Sequence, residues 1–121
     1  EAKEIGFITP DEDNPFNEWV GISPDGLLSD GGLLEIKCPK PKTHLGYIEG
    51  NKLPTEYRHQ VQGQLFVTGA PYCDFMSFVE DMKPFIIRVY PDEKLHQGYT
   101  QRLSELIQEV KNKLNIYEQY N

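Results

Sequence analysis

The strongest constraint on the fold is a predicted β-hairpin that carries two carboxylates and one lysine. Asp25 follows the first strand-forming segment, whereas Glu35 and Lys37 lie on the apolar strand after it. Residues 30–32 read Asp-Gly-Gly, and these residue types tolerate positive φ, so a tight turn is predicted between the strands. Folding back at this turn would place Asp25 opposite residues 35–37.

The alternation of side chains along the second strand predicts which residues face the two acids. Glu35 and Lys37 are two residues apart and therefore share one face of the strand. Leu34, Ile36 and Cys38 point the other way, and we expect them to face the core. The hairpin would then gather both carboxylates and the amine in one patch.

This patch suits chemistry on a phosphodiester. Two neighbouring carboxylates repel, and one keeps a proton unless a cation lies between them. Hard divalent ions such as Mg²⁺ take oxygen ligands, often one or two carboxylates together with a substrate phosphate. Asp-Gly pairs are also ordinary turn residues, and Glu-x-Lys is equally found on a solvated strand face.

A glutamine-rich helix is predicted after the hairpin, over residues 55–68. Its apolar residues recur every three or four positions, which predicts an inward stripe of Tyr57, Val61, Leu65 and Thr68. Gly69 suits the end of such a helix. Further predicted elements are strands at Ile5–Thr9, 74–80 and 85–90, a short helix at 45–48 and a long final helix that starts near Pro91.

Charge is distributed unevenly along this acidic chain, whose net charge is −7. Residues 1–36 hold nine acids and one lysine, whereas residues 37–59 hold five Lys or Arg and two Glu. A DNA-binding protein normally presents a basic surface, so a local basic track would have to hold the phosphates. Lys40, Lys42 and His44 follow the acidic patch and are either phosphate contacts or an exposed loop.

Length and composition predict one soluble α/β domain over residues 1–121. No apolar run reaches the roughly 18 residues of a membrane span, and no signal peptide is visible. Cys38 and Cys73 are too few for a disulfide framework, and we interpret them as buried thiols in a reducing cytoplasm. The three histidines share no metal-ligand spacing.

Two sequence blocks resemble the PD-(D/E)XK nucleases, specifically the phage lambda exonuclease (YqaJ-type) family. The first is Gly21–Pro39, which contains Pro-Asp-Gly and Leu-Glu-Ile-Lys-Cys-Pro. The second is His59–Gly69, followed by the strand Asp74–Phe78. The resemblance implies a restriction-endonuclease-like core, in which helices flank a mixed central β-sheet. It also implies that this chain lacks the family's N-terminal helical part.

The resemblance implies a role for each matching residue. Asp25, Glu35 and the main-chain carbonyl of Ile36 would be ligands of Mg²⁺, for which Mn²⁺ is the alternative ion. Lys37 would be the catalytic lysine. A glutamine of the helix would reach the site, and we assign Gln62 to that role, with Gln60 as a second candidate that contacts DNA.

The activity implied by the resemblance is a Mg²⁺-dependent exonuclease that degrades one strand of duplex DNA from its 5′ end. Such an enzyme would serve phage-type recombination in the cytoplasm of a bacterial host, beside a single-strand annealing protein, and the family assembles as a trimer. Two alternatives stay open. One is an endonuclease or junction resolvase of the same fold, and the other is a non-catalytic domain that binds DNA or a protein.

Overall fold

The structure, a computed structural model, describes residues 1–120 and contains one five-stranded sheet. The strands lie side by side in their sequence order. The third and fourth strands are parallel and every other neighbouring pair is antiparallel, so the sheet is mixed as predicted. The strands are β1 (Ala2–Lys3), β2 (Gly26–Leu28), β3 (Leu33–Lys37), β4 (Cys73–Ser77) and β5 (Phe85–Val89).

Three α-helices and one 3₁₀ turn accompany the strands in the described residues. They are α1 (Pro41–Gly50), the 3₁₀ turn Thr55–Tyr57, α2 (Arg58–Thr68) and α3 (Glu93–Glu118). Helix α1 is longer than predicted because Pro41 occupies its first turn, where a missing N–H costs nothing. Helices α1 and α2 end at Asn51 and Gly69, whose φ angles are 48° and 68°. Left-handed residues of this kind commonly terminate helices.

The predicted tight turn between β2 and β3 is present. Gly31 has a φ of 92°, which favours glycine, and Leu28 and Gly32 are joined by a 2.7 Å backbone hydrogen bond. Gly32 also lies against the ring of Tyr72. A side chain would not fit here, since a Cβ atom at this position would be 2.2 Å from the ring. The hydroxyl of Tyr72 donates to both carboxylate oxygens of Asp30 and so connects the turn to the start of β4.

The core lies between the sheet and α2. It contains Leu33, Val61, Leu65, Ala70, Cys73 and Phe75. The predicted inward stripe of α2 is thus confirmed at Val61 and Leu65, which are both buried.

The predicted orientation of β3 is wrong. The buried side chains are Leu33 and Glu35, whereas Leu34 and Ile36 are half-buried and Cys38 is exposed. The physical reason is that α2 covers the face that carries Glu35, so the acid lies within the packed layer rather than on a solvated face.

The N-terminal residues also differ from the prediction. Ile5–Thr9 is not a continuous strand, because only Ile8 forms a bridge, to Ile22. The paired strand is instead Ala2–Lys3, which pairs with residues 27 and 28. The apolar residues 5–9 therefore predicted a strand near the N-terminus, but the residues that pair with β2 are Ala2 and Lys3.

The chain forms two compact units, Glu1–Pro91 and a second unit that starts at Asp92. The second unit holds α3, which begins where the side chain of Asp92 accepts a hydrogen bond from the N–H of Leu95. None of the described residues of α3 is buried. No helix within residues 1–120 combines the length and apolar character that crossing a bilayer requires.

Candidate active site

Asp25 lies where the pairing of β2 with β3 ends. Its N–H donates to the carbonyl of Leu34 at 3.1 Å, and its Oδ2 atom accepts from the N–H of Ile36 at 2.7 Å. The carboxylate of Asp25 thus accepts the hydrogen bond from β3 that a backbone carbonyl of a paired strand would otherwise accept. In an extended strand the N–H and C=O of one residue point to the same side, so the carbonyl of Ile36 points toward Asp25 as well.

Glu35 is the most constrained acid of the hairpin, with only 4% of its surface exposed. Its Oε1 atom accepts from Nε2 of Gln60 at 2.9 Å and lies 3.0 Å from Nζ of Lys37. Its Oε2 atom accepts from Nε2 of Gln64 at 2.9 Å. A buried charge is costly unless it is paired and hydrogen-bonded, and these three donors meet that requirement.

The structure assigns the helix glutamines differently from the sequence. Gln60 and Gln64 contact Glu35, whereas the amide of Gln62 donates to the carbonyl of Tyr90 at 2.9 Å. The reason is helical geometry, because residues four apart share a face and a residue two positions away lies on a different side. The four-residue spacing was visible in the sequence and is the signal that could have identified Gln64.

Lys37 is held from two sides. Its ammonium group pairs with Glu35 and lies 4.8 Å from the centre of the Tyr57 ring. A cation above an aromatic face is attracted by the negative face of the ring. Tyr57 itself packs against Phe75, with ring centres 5.3 Å apart. Tyr57, predicted only as a core residue, therefore also positions the amine.

The predicted DNA contacts separate into exposed and buried residues. Lys40 and Lys42 are exposed at the start of α1, directly after β3. The prediction of His44 as a DNA contact is wrong, because its side chain is 0% exposed. Its ring lies 2.8 Å from the hydroxyl of Ser77 and 2.8 Å from the carbonyl of Lys83.

The orientation of the His44 ring follows from its partners. A carbonyl oxygen can only accept, so Nε2 of the ring carries a proton and donates to Lys83. In the neutral ring, Nδ1 then accepts from the hydroxyl of Ser77. His44 consequently joins α1 to the end of β4 and to the loop before β5.

Burial and nearby negative charge both raise the pKa of the Cys73 thiol. Burial raises the pKa of Cys73 to about 12, and the carboxylates of Glu35, Asp74 and Asp25 add to the effect. The thiol therefore stays protonated at neutral pH and is a weak hydrogen-bond donor. The prediction of a buried thiol is confirmed for Cys73 but not for Cys38.

The donor types offered by Asp25, Glu35 and the carbonyl of Ile36 are those that a hard divalent ion takes. Within residues 1–120 no group of three or more His, Cys, Asp or Glu side chains is placed to hold a metal. Two carboxylates and a main-chain carbonyl nevertheless match the few protein ligands that Mg²⁺ takes. A carboxylate offers about four lone-pair positions, and Glu35 uses three of them, so one remains for an ion.

Comparison with known proteins identifies the family. Residues 6–71 match the YqaJ-like viral recombinase domain. An uncharacterized protein of Acanthamoeba polyphaga mimivirus is 30% identical over 113 residues, which cover 74% of this chain and 21% of that protein.

Solved structures give the same result. The alkaline exonuclease LHK-Exo from Laribacter hongkongensis superposes with a TM-score of 0.79 and 34% identity, over 98% of this chain and 61% of that chain. Its complex with dAMP gives a TM-score of 0.80 and 32% identity, over 98% and 60% of the two chains. This chain therefore spans about three fifths of the solved exonuclease. Because the family model matches more than half of its residues, the chain belongs to the YqaJ-like viral recombinase domain family.

Proposed function

We propose that this chain is the nuclease core of a metal-dependent deoxyribonuclease, which acts as a 5′-to-3′ exonuclease on duplex DNA. The observation that carries the proposal is the buried carboxylate of Glu35, which is held by Gln60, Gln64 and Lys37. Asp25 is hydrogen-bonded to the next residue of the same strand, Ile36. A carboxylate buried in this way costs free energy, and a role in stability alone would be met as well by apolar packing. The arrangement therefore favours a chemical role.

The proposed division of roles follows the geometry. Asp25, Glu35 and the carbonyl of Ile36 would hold Mg²⁺ or Mn²⁺. The bound ion would activate a water and stabilise charge that develops on the phosphate. Lys37 would donate from its ammonium group to the attacking water or to a phosphate oxygen, since the Tyr57 ring and Glu35 hold that group in place.

The substrate is proposed from the solved relatives. The exonuclease from Laribacter hongkongensis is an alkaline exonuclease and was solved with dAMP. Lys40 and Lys42 are exposed next to the proposed metal site, where they would contact backbone phosphates of DNA. Gln60 is also exposed, and we propose that it contacts the strand while it holds Glu35.

The biological setting is part of the proposal. The chain would act on DNA in the cytoplasm of a bacterial host as a protein of phage or prophage origin, beside a single-strand annealing protein. A homotrimer is the proposed assembly. Light scattering of the purified chain would test the trimer, and a monomer would contradict that part of the proposal only.

The experiment that tests the function is digestion of duplex DNA labelled at one 5′ end or one 3′ end, with Mg²⁺, with Mn²⁺ and with EDTA. We expect metal-dependent loss of the 5′ label as mononucleotides. Glu35→Gln and Lys37→Ala should abolish cleavage, since they remove a metal ligand and the amine. A variant that cuts as well as the parent would contradict the assigned roles.

Two other outcomes would replace this function. Cleavage of covalently closed circular duplex would identify an endonuclease or resolvase, because an exonuclease needs an end. Metal-independent DNA binding without cleavage would identify a non-catalytic domain. Calorimetry with Mn²⁺ distinguishes a nuclease from a non-catalytic domain, because a non-catalytic domain should show no specific Mn²⁺ site.

A further inference from the structure

Gln64 connects a buried thiol to the acid of the proposed metal site. Gln64 is 4% exposed, and both the nitrogen and the oxygen of its side-chain amide have a partner. The Nε2 atom donates to Oε2 of Glu35 at 2.9 Å, and the Oε1 atom lies 4.0 Å from Sγ of Cys73 as an acceptor. The same Sγ lies 3.9 Å from the carbonyl of Asp74, which is a second acceptor for the thiol. Cys73 lies on β4 and is completely buried, and the proposed chemistry gives it no role.

The carboxylate of Glu35 and the thiol of Cys73 favour the same orientation of the Gln64 amide. The two ends of a glutamine amide are nearly equal in shape, so packing alone does not distinguish them. If the amide turned over, its oxygen would face the carboxylate oxygen of Glu35 and its NH₂ would face the S–H of Cys73. That arrangement opposes two acceptors and leaves Glu35 with one hydrogen bond fewer. It also takes the amide acceptor away from the thiol, whose sulfur is only a weak acceptor.

We propose that Cys73 and Gln64 are positioning residues for the metal ligand Glu35. The thiol adds to the orientation of the Gln64 amide, and the amide holds Oε2 of Glu35, the carboxylate oxygen that has a single described donor. Oxygen Oε1 is shared by Gln60 and Lys37, so Oε2 is the carboxylate oxygen that keeps a lone pair without a described donor. The inference rests on the proposed function, because it assigns residues to the same site.

A positioning role predicts a change in metal affinity, whereas a packing role predicts a change in fold stability alone. Hydrogen-bonded partners of a metal ligand typically contribute 10- to 100-fold to metal affinity. Residues that only pack in the core change the stability of the fold but not the affinity of the folded protein for the ion. Metal affinity, measured on folded protein, therefore distinguishes the two roles without any measurement of DNA cleavage.

The test is calorimetric titration of Mn²⁺ into the full chain and its variants, with thermal unfolding recorded for each. We expect Gln64→Met to weaken Mn²⁺ binding about tenfold, because it removes the donor at a similar volume. Cys73→Ala should weaken binding about two- to threefold, since it removes one weak donor. Cys73→Ser keeps a donor and should restore the parental affinity.

A double variant tests whether the two residues act in sequence. If the thiol acts through the amide, Cys73→Ala should have no further effect on Mn²⁺ affinity once Gln64→Met is present. Val67→Ala is the matched control, because Val67 is buried on α2 and has no contact with Glu35 among the described hydrogen bonds. It should lower the unfolding temperature and leave Mn²⁺ affinity unchanged.

The outcomes separate this inference from the proposed function. Parental Mn²⁺ affinity in both Gln64→Met and Cys73→Ala would overturn the positioning role while leaving the nuclease proposal intact. Equal effects of Cys73→Ala with and without Gln64 would also overturn it. If Gln64→Met does not fold, the comparison of Cys73→Ala with Cys73→Ser still decides the role of the thiol. A parent chain that binds no Mn²⁺ would overturn both proposals together.

Discussion

The side-chain amide of Gln60 donates to Oε1 of Glu35 at 2.9 Å, although 25 residues separate them in the sequence. Lys37 shares the same oxygen from two residues along the strand. The helix and the strand therefore contribute one donor each to a single carboxylate oxygen. The orientation of the acid depends on how α2 packs on the sheet.

The two glutamines of α2 that were predicted to act are distinguished by substitution. We expect Gln60→Leu to weaken Mn²⁺ affinity about tenfold, because it removes a donor to Glu35. Gln62→Leu should leave Mn²⁺ affinity unchanged and lower the free energy of unfolding by about 1 kcal/mol, because it removes the hydrogen bond to Tyr90. Calorimetry and urea unfolding measure the two effects. The opposite pattern would restore the assignment of Gln62 to the site.

The ring of Tyr57 is expected to matter more than its hydroxyl. Tyr57→Leu should lower the rate of Mg²⁺-dependent cleavage about tenfold, because the ammonium of Lys37 loses the aromatic face above which it lies. Tyr57→Phe keeps the ring and is the matched control, with a rate close to that of the parent. Single-turnover kinetics on end-labelled duplex measure the rates. A large loss in the Phe variant would show that the hydroxyl acts instead.

His44 is expected to stabilise the fold rather than bind DNA. His44→Ala should lower the free energy of unfolding by about 3 kcal/mol, because it leaves a cavity and removes the partners of Ser77 and Lys83. Urea unfolding measures this loss. The comparison is Lys42→Ala, an exposed change that should weaken DNA binding and reduce its salt dependence by about one unit of slope. Folded His44→Ala that binds DNA poorly would contradict this division.

The turn between β2 and β3 is expected to weaken in acid. The hydroxyl of Tyr72 and then the N–H of Gly32 hold the pKa of Asp30 below its ordinary value. A depressed pKa contributes stability that is complete above the unfolded pKa of about 3.9 and is lost as pH falls through the folded pKa. We therefore expect Tyr72→Phe to destabilise the chain at about pH 7 and to have a smaller effect at about pH 2.5.

Urea unfolding of matched variants measures this pH dependence. Asp30→Asn removes the titrating group, so the effect of Tyr72→Phe in the Asn background should not change with pH. Both variants keep the ring against which Arg88 lies at 3.6 Å, so that contact is the same in each. A destabilisation by Tyr72→Phe that is equal at both pH values would show that the ionised form of Asp30 is not the one stabilised.

The sequence by itself determined the local structure of the site. Positive φ at Gly31 requires a residue such as glycine, and the turn it forms brings Asp25 to Ile36 over a short loop. The two-residue spacing also fixed that Glu35 and Lys37 share a face. Local geometry decides these features, so the residue types alone were enough to predict them.

Only the tertiary structure decided which face is buried and which glutamines reach the acid. Periodicity gives two faces of β3 but does not say which one α2 covers, so the buried position of Glu35 was predicted wrongly. The rotation of α2 about its axis selects Gln60 and Gln64, and it depends on how Val61 and Leu65 pack against the sheet. The four-residue spacing places Gln60 and Gln64 on one face of the helix, but contacts between residues distant in sequence decide that this face meets Glu35.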